Sequence, residues 1–325
     1  MFSRGKKFTK LFYATDVHGS THVFKKFINT AKFYGAEALI LGGDVTGKRV
    51  IPIVEQKDGT YHVEFMQVPY ILKTKEEVAN IEARIDDSGS YPYYCDESRL
   101  KELQSDPKKL DDVFFQLMLD RLLKWMDYAE VKLKEMGTMC YITGGNDDHQ
   151  EIINALKETE YIKNPDNKVI YIDEIHEMAS IGWSNPTPWH CPRECNEDEL
   201  RSRIEHLVSE VKDMSNCVFN FHVPPKDTGL DTCVKLDESV YPPKPIAQGG
   251  QVVMFGAGSQ SVRDAIEKCQ PLVGLHGHIH ECRGIYKIGR TLCFNPGSEY
   301  GEGILRGMLI NLGDKKIVSY QPTSG

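Results

Sequence analysis

The stretch Leu11-Phe12-Tyr13-Ala14-Thr15-Asp16-Val17-His18 is an apolar, β-prone run that stops abruptly at a carboxylate and an imidazole. It predicts a first strand over Leu11–Thr15, because aromatic and β-branched side chains suit a buried pleated surface. Apolar residues then recur at helical spacing from Val23 to Phe33, and Ala38 to Leu41 is a second short apolar run ending in Gly42-Gly43-Asp44. Two strands around one helix make a βαβ opening, which places the chain in the α/β class. Open α/β sheets bind ligands at the carboxyl ends of their strands, where side chains converge without disturbing the core. Asp16, His18 and Asp44 all fall at such ends.

Beyond this opening the alternation is interrupted by an insertion at about 48–137. A hairpin is expected there, with Val50–Val54 running against Tyr61–Val68 and turning at Asp58-Gly59. Helices should follow. Leu110, Val113, Phe114, Leu117, Leu122, Trp125, Met126 and Ala129 keep one apolar face, which predicts a long amphipathic helix packed on the body of the protein. The sheet resumes at Met139–Thr143 and leads into Gly144-Gly145-Asn146, with a helix near Asp148–Glu158. Further strands are expected at Val169–Ile172, Met178–Trp183, Val218–Phe221, Leu272–Leu275, Gly284–Ile288, Leu292–Phe294 and Met308–Leu312. A second insertion, at about 185–215, carries a helix from Asn196 to Asp213, and Tyr241–Pro245 reads as a surface loop. The whole of 1–325 is expected to form one elaborated domain.

Composition narrows the partners. With 47 acidic against 39 basic residues the formal charge is −8, and no dense run of Lys and Arg suggests a nucleic-acid or acidic-membrane surface. The N-terminal Met1–Lys10 is basic, but the apolar run after it is too short for a secretory leader and leads straight into the first strand. No stretch approaches the roughly 18 apolar residues needed to span a bilayer. Nine cysteines, an odd and scattered set, read as free thiols in a reducing cytoplasm. The alternative for two of them is a structural zinc corner made by His190, Cys191 and Cys195.

Chemistry is carried by short segments that follow apolar strands: Asp16-Val17-His18, Gly43-Asp44, Gly145-Asn146-Asp147, Phe221-His222, and the pair His278 and His280. None is persuasive alone, since a lone strand-end His is more often a hydrogen-bonded core or surface residue. Order and shared placement make the case. A mix of carboxylate, amide oxygen and imidazole suits divalent ions such as Mn²⁺, Fe²⁺ or Zn²⁺ better than Mg²⁺ or Ca²⁺. Two such ions require a shared carboxylate to offset their repulsion.

Taken in order, the series D-x-H, G-D, G-N, H and G-H-x-H from Asp16 to His280 resembles the calcineurin-like metallophosphoesterase superfamily. The later Asn295-Pro296-Gly297-Ser298 is similar to a segment of its smaller bacterial and archaeal phosphodiesterase-type members. The resemblance covers nearly the whole chain and implies a four-layer αββα sandwich of two packed mixed sheets with a helical and hairpin insertion. It implies that Asp16, His18 and His280 hold one divalent ion, that Asn146, His222 and His278 hold the other, and that Asp44 bridges them. A hydroxide between the ions would attack phosphorus in line, with Asp44, Asn146 and Asp147 as the catalytic set. The implied activity is metal-dependent hydrolysis of a small phosphodiester, a nucleotide among the candidates. A phosphomonoesterase or protein phosphatase of the same chemistry is the first alternative, and a non-catalytic scaffold the second.

Two departures from that pattern stand out. Asp147 occupies the place where many members carry His, which removes the usual leaving-group acid; Asp147 or Asp148 could instead cap a helix, and His149 could reach the leaving oxygen. Val45-Thr46-Gly47-Lys48 stands where many phosphatases carry Asp and Arg, so Lys48 either supplies positive charge to phosphate or is simply solvated. In the loop Gly182–His190, Trp183 and Trp189 could be base-stacking platforms or ordinary packing residues.

Overall fold

The computed structural model describes residues 8–156, 158–240 and 242–325; Met1–Lys7 of the basic N-terminal stretch and Tyr241 of the expected loop lie outside the described residues. Strand β1 (Thr9–Ala14), helix α1 (Thr21–Tyr34) and strand β2 (Ala38–Gly42) form the expected βαβ unit, with β1 and β2 parallel and Leu11 opposite Ala38. Ser20 starts α1 by accepting from the Val23 amide, and Gly35 ends it at φ 62°, donating to the Ala31 carbonyl.

The first insertion is a small sheet with its own core. Its strands are β3 (Val50–Glu55), β4 (Tyr61–Phe65), β5 (Val68–Leu72) and β6 (Tyr91–Asp96), in the order β5-β4-β3-β6. The expected hairpin forms, but Tyr61–Val68 is not one strand. Met66 and Gln67, both at positive φ (53° and 62°), make a second tight turn that splits it into β4 and β5. Met-Gln lacks the Asn-Gly or Asp-Gly signature by which such turns are read. Helix α2 (Lys75–Asp87), opened by a Thr74/Glu77 capping box, covers this sheet through Val78, Ile81 and Ile85. After α3 (Glu97–Ser105), helix α4 (Pro107–Met136) runs for 30 residues, and its Trp125 stacks on Phe24 of α1 at 4.2 Å between centroids.

The remaining elements are β7 (Met139–Thr143), α5 (Gln150–Asn154), β8 (Ile162–Lys163), β9 (Val169–Tyr171), β10 (Glu177–Ile181), α6 (Glu197–Val208) and β11 (Cys217–Phe221). An arm of short strands follows: β12 (Thr232–Val234), β13 (Leu236–Asp237), β14 (Lys244–Pro245), β15 (Ala247–Gln248), β16 (Gln251–Val252) and β17 (Met254–Gly256), in which the β12–β17 ladder encloses two consecutive hairpins, β13–β14 and β15–β16. Lys244–Pro245 therefore belong to a ladder and not to a plain loop. The chain ends with α7 (Gln260–Cys269), β18 (Val273–Leu275), β19 (Gly284–Ile288), β20 (Thr291–Asn295), β21 (Arg306–Gly313) and β22 (Lys316–Ser324). Two expected helices are shorter than read: α5 spans only Gln150–Asn154, and α6 stops at Val208.

Two six-stranded mixed sheets result, β22-β21-β1-β2-β7-β8 and β19-β20-β18-β11-β10-β9. Their layering follows from the two-residue period of a strand. Leu11, Tyr13 and Ile40 of the first sheet share one core with Met178, Val218, Val273 and Phe294 of the second. The alternate residues Phe12, Ala14 and Leu39 pack outward against α1 and α4. On the far side, Ala179, Ile181 and Phe219 pack outward against Leu200 and Ile204 of α6 and Val262 and Ile266 of α7. The order is thus helix, sheet, sheet, helix, the four-layer αββα sandwich. Among the described residues no helix is long and apolar enough to cross a membrane.

Candidate metal centre

All seven expected ligand residues leave a strand at its carboxyl end. The first sheet supplies Asp16 and His18 after β1, Asp44 after β2 and Asn146 after β7; the second supplies His222 after β11 and His278 and His280 after β18. Backbone bonds hold these loops together: the Asp16 amide donates to Gly43 O at 3.0 Å, His18 to Asp44 O at 3.0 Å, and Gly277 to His222 O at 2.8 Å. Asp16, His18, Asp44 and His278 sit at φ 54°, 39°, 51° and 67°. That left-handed region costs free energy for any side chain, so its concentration here marks a site held by its surroundings. Gly145 is required by close approach, since a Cβ there would lie 2.0 Å from Asp44 Oδ1.

The side chains converge. His18 Nε2 lies 2.9 Å from His280 Nε2 and 3.5 Å from Asp44 Oδ2, and His280 Nε2 lies 3.3 Å from Asp16 Oδ1. On the other side of the same carboxylate, His222 Nε2 lies 3.3 Å from Asp44 Oδ1, and His278 Nδ1 lies 2.8 Å from Asn146 Oδ1. Asp44 thus turns one oxygen toward each group of imidazoles. His222 is anchored through Nδ1 to the Gly42 carbonyl at 3.0 Å, leaving its Nε2 buried and without a hydrogen-bond partner. A buried nitrogen aimed at two carboxylates fits a cation, and Asp16, His18, Asp44 and His280 have ligand atoms all within 4.8 Å of one another.

Electrostatics point the same way. Burial pushes His278 down to about 3 and lowers His18, keeping both rings neutral and able to ligate. Against its burial, Asp44 raises His222 to about 9. A divalent cation at His222 would therefore have to compete with a proton for its lone pair. The Asp16 carboxyl, although buried, is held well below the ordinary range by its His280 bond and the nearby His222.

No protein-family model matches the chain. It is 33% identical over 181 residues to the uncharacterized protein MJ1162 of Methanocaldococcus jannaschii, a match that covers 55% of this chain and 69% of that protein. The chain belongs to the MJ1162 family. One crystal structure aligns over 97% of the chain and 99% of its own length at a TM-score of 0.54 and 16% identity, a likeness of fold. An archaeal phosphodiesterase aligns over 98% of the chain and 100% of its own length, but at 11% identity and a TM-score of 0.35, too loosely to bear on activity.

In this MJ1162-family chain three buried residues hold the ligand loops. Asp148 accepts from the amides of Val45 (2.9 Å), Thr46 (2.8 Å) and Gly145 (2.8 Å), so it bolts the Asp44 loop to the Asn146 loop. Neither Asp147 nor Asp148 caps a helix; His149 occupies the N-cap of α5 without a side-chain bond. Arg193 donates to Asp166 at 2.6 Å, and its own amide donates to Asn146 O at 3.1 Å. A single loop arginine carries no sequence signal, and Arg193 was not foreseen. Asn295 donates to the carbonyls of Gly277 and Ile279, and Ser298 to Asp16 O at 2.6 Å, so the Asn-Pro-Gly-Ser stretch braces the G-H-x-H turn. Tyr300, also unforeseen, packs its ring on His18 at 4.7 Å.

The centre of this MJ1162-family protein opens into a cleft of about 1140 Å³, whose lining includes Lys48, His149, Trp189 and part of the β12–β17 arm. Lys48 is not merely solvated: its ammonium pairs with Asp147 Oδ2, while the Cys191 thiol donates to Asp147 Oδ1 at 2.7 Å. Cys195 is buried with the α6 core, and among the described residues His190, Cys191 and Cys195 form no metal-holding group, so the zinc corner is not met. Trp183 is a packing residue, covered by the Arg203 guanidinium at 4.0 Å, whereas Trp189 stands 57% exposed on the cleft.

Proposed function

We propose that the chain is a metal-dependent phosphodiesterase. The observation that carries this reading is the Asp44 carboxylate, with one oxygen toward His18 and the other toward His222. Asp16, His18 and His280 would hold one divalent ion and Asn146, His222 and His278 the other, with Asp44 shared. When bound, the ions supply Lewis acidity and a hydroxide nucleophile at neutral pH. The ordered resemblance from Asp16 to His280 to calcineurin-like metallophosphoesterases supports the reaction class.

The chain's own groups do the rest. The loops of both sheets fix the ligands before substrate arrives, and the cleft gives an ester access to one side of them. Lys48 is neutralised by Asp147, so together they add no net positive charge for a monoester dianion, which favours the monoanionic diester. Both Asp147 oxygens accept hydrogen bonds, one from Lys48 and one from Cys191, and neither is placed to give a proton to a leaving group.

The test is hydrolysis of bis(p-nitrophenyl) phosphate against p-nitrophenyl phosphate by protein loaded with Mn²⁺, Fe²⁺ or Zn²⁺, beside elemental analysis. Diester turnover with about two ions per chain is expected. Faster monoester turnover would move the reading to a phosphatase, and a chain that retains no metal would move it to a scaffold.

A further inference from the structure

We propose that the cleft beside the metal centre seats the planar base of a nucleotide diester against Trp189 and Phe255, an inference that rests on the phosphodiesterase reading above. The cleft, about 1140 Å³, exceeds the roughly 300–1,000 Å³ typical of small-molecule sites and far exceeds what a phosphate needs. Its occupant therefore extends well beyond the reacting phosphorus.

The lining says what kind of group extends there. Trp189 is 57% exposed and Phe255 40% exposed, although Trp125 is buried under α1. They come from separate segments, the loop after β10 and strand β17, which are joined where the Asn185 side-chain Nδ2 donates to the carbonyl of Ala257, just after β17, at 3.2 Å. Both segments also line the same cleft as His278 and His280. Two large aromatic faces beside a phosphate-binding centre match the stacking platforms used for bases, which accept any base because each has a π-face.

An acyl chain would ask for different walls. The arm places Lys235 and Glu238 in the same lining, and burying charged groups under a methylene chain is unfavourable. A base has apolar faces and polar edges, and it can meet both sorts of side chain. The acidic balance of the chain, −8, favours a single small nucleotide over a polymer drawn by surface charge.

Three nitrophenyl diesters that share one leaving group test this: methyl, octyl, and thymidine 5′-yl p-nitrophenyl phosphate, with Mn²⁺-loaded protein. The thymidine ester is expected to exceed the methyl ester in kcat/KM by about tenfold or more, the worth of one stacked base. That ratio should fall toward one in Trp189→Ala and in Phe255→Ala and be largely retained in Trp189→Phe, which keeps an aromatic face. As a readout apart from turnover, thymidine 5′-phosphate should quench the indole fluorescence of the metal-loaded protein, and Trp189→Phe should lose that quenching. Hydrolysis of the methyl and thymidine esters at equal rates would overturn the base subsite and leave the phosphodiesterase reading standing. An octyl ester favoured as strongly as the thymidine ester would also overturn it. Hydrolysis of none of the three with Mn²⁺, Fe²⁺ or Zn²⁺ would remove the phosphodiesterase reading and this inference together.

Discussion

The Asp148 carboxylate accepts both the amide and the hydroxyl of Thr46, at 2.8 and 2.6 Å through the same Oδ1, while its other oxygen takes the amides of Val45 and Gly145. In Asp148→Asn one acceptor becomes an NH₂ that faces donors. The expected outcome is a loss of about 1–3 kcal/mol in denaturant unfolding, the usual cost of a buried donor or acceptor left unsatisfied. Metal retention after dialysis should fall with it, since the Asp44 and Asn146 loops lose their common anchor. Unchanged retention would show that the loops keep their places without it.

Asp44→Asn should nearly abolish turnover. A neutral amide cannot offset the repulsion between two dications, so metal content should drop from about two ions toward one. If the variant keeps two ions and full activity, Asp44 is not shared.

Asp147→Asn should cost less than about tenfold on a nitrophenyl diester once metal content is confirmed equal, because a positioned acid typically contributes about 10²–10⁴. The substitution also releases Lys48, so monoester turnover relative to diester should rise. A hundredfold loss concentrated on poor leaving groups would make Asp147 a proton donor after all.

A pH effect is expected far from the centre. His176 Nδ1 lies 2.6 Å from Asp173 Oδ2 and its Nε2 3.2 Å from the Gly313 carbonyl, so both ring nitrogens meet acceptors. Although burial opposes it, the Asp173 bond raises the imidazole above its ordinary value. Its stabilisation is therefore fully present below the unfolded pKa of about 6.5 and lost as pH rises through the raised folded value. Denaturation of the wild type between pH 6 and pH 9 should show that loss, and His176→Gln should flatten it. Parallel curves for both proteins would rule the group out.

Much of this was legible in sequence because two signals coincide at the strand ends. Leu11–Ala14, Ala38–Gly42 and Cys140–Thr143 are buried on both faces and read as continuous apolar runs, and each stops at a residue that leaves the sheet. The seven ligand-type residues were found the same way, and the structure brings them together. What was missed lacks that signal. Strand β22 is an exposed edge with little hydrophobic pattern, and the β12–β17 arm is a set of two- and three-residue ladders below the length at which alternation can be read. Arg193 and Asp148 act on groups brought near only by the fold, the Asp166 carboxylate and Asn146 carbonyl for one and the Val45 amide for the other, and nothing in their own neighbourhoods announces it.

The first sheet supplies four of the seven candidate ligand residues and the second supplies three, with His18 and His280 touching across 262 positions of chain. A cation held among them would act as a stitch between two layers otherwise joined by apolar contact and a few hydrogen bonds, such as that from Asn220 of β11 to the Thr143 hydroxyl of β7. During synthesis the stitch cannot close until His280 has emerged, and the first sheet is itself complete only when β21 and β22 follow, so Asp16 and Asp44 would wait with their carboxylates unpaired. Metal supply would then decide how long the finished chain survives as well as how fast it works, because an ion that binds only the folded form draws the folding equilibrium with it.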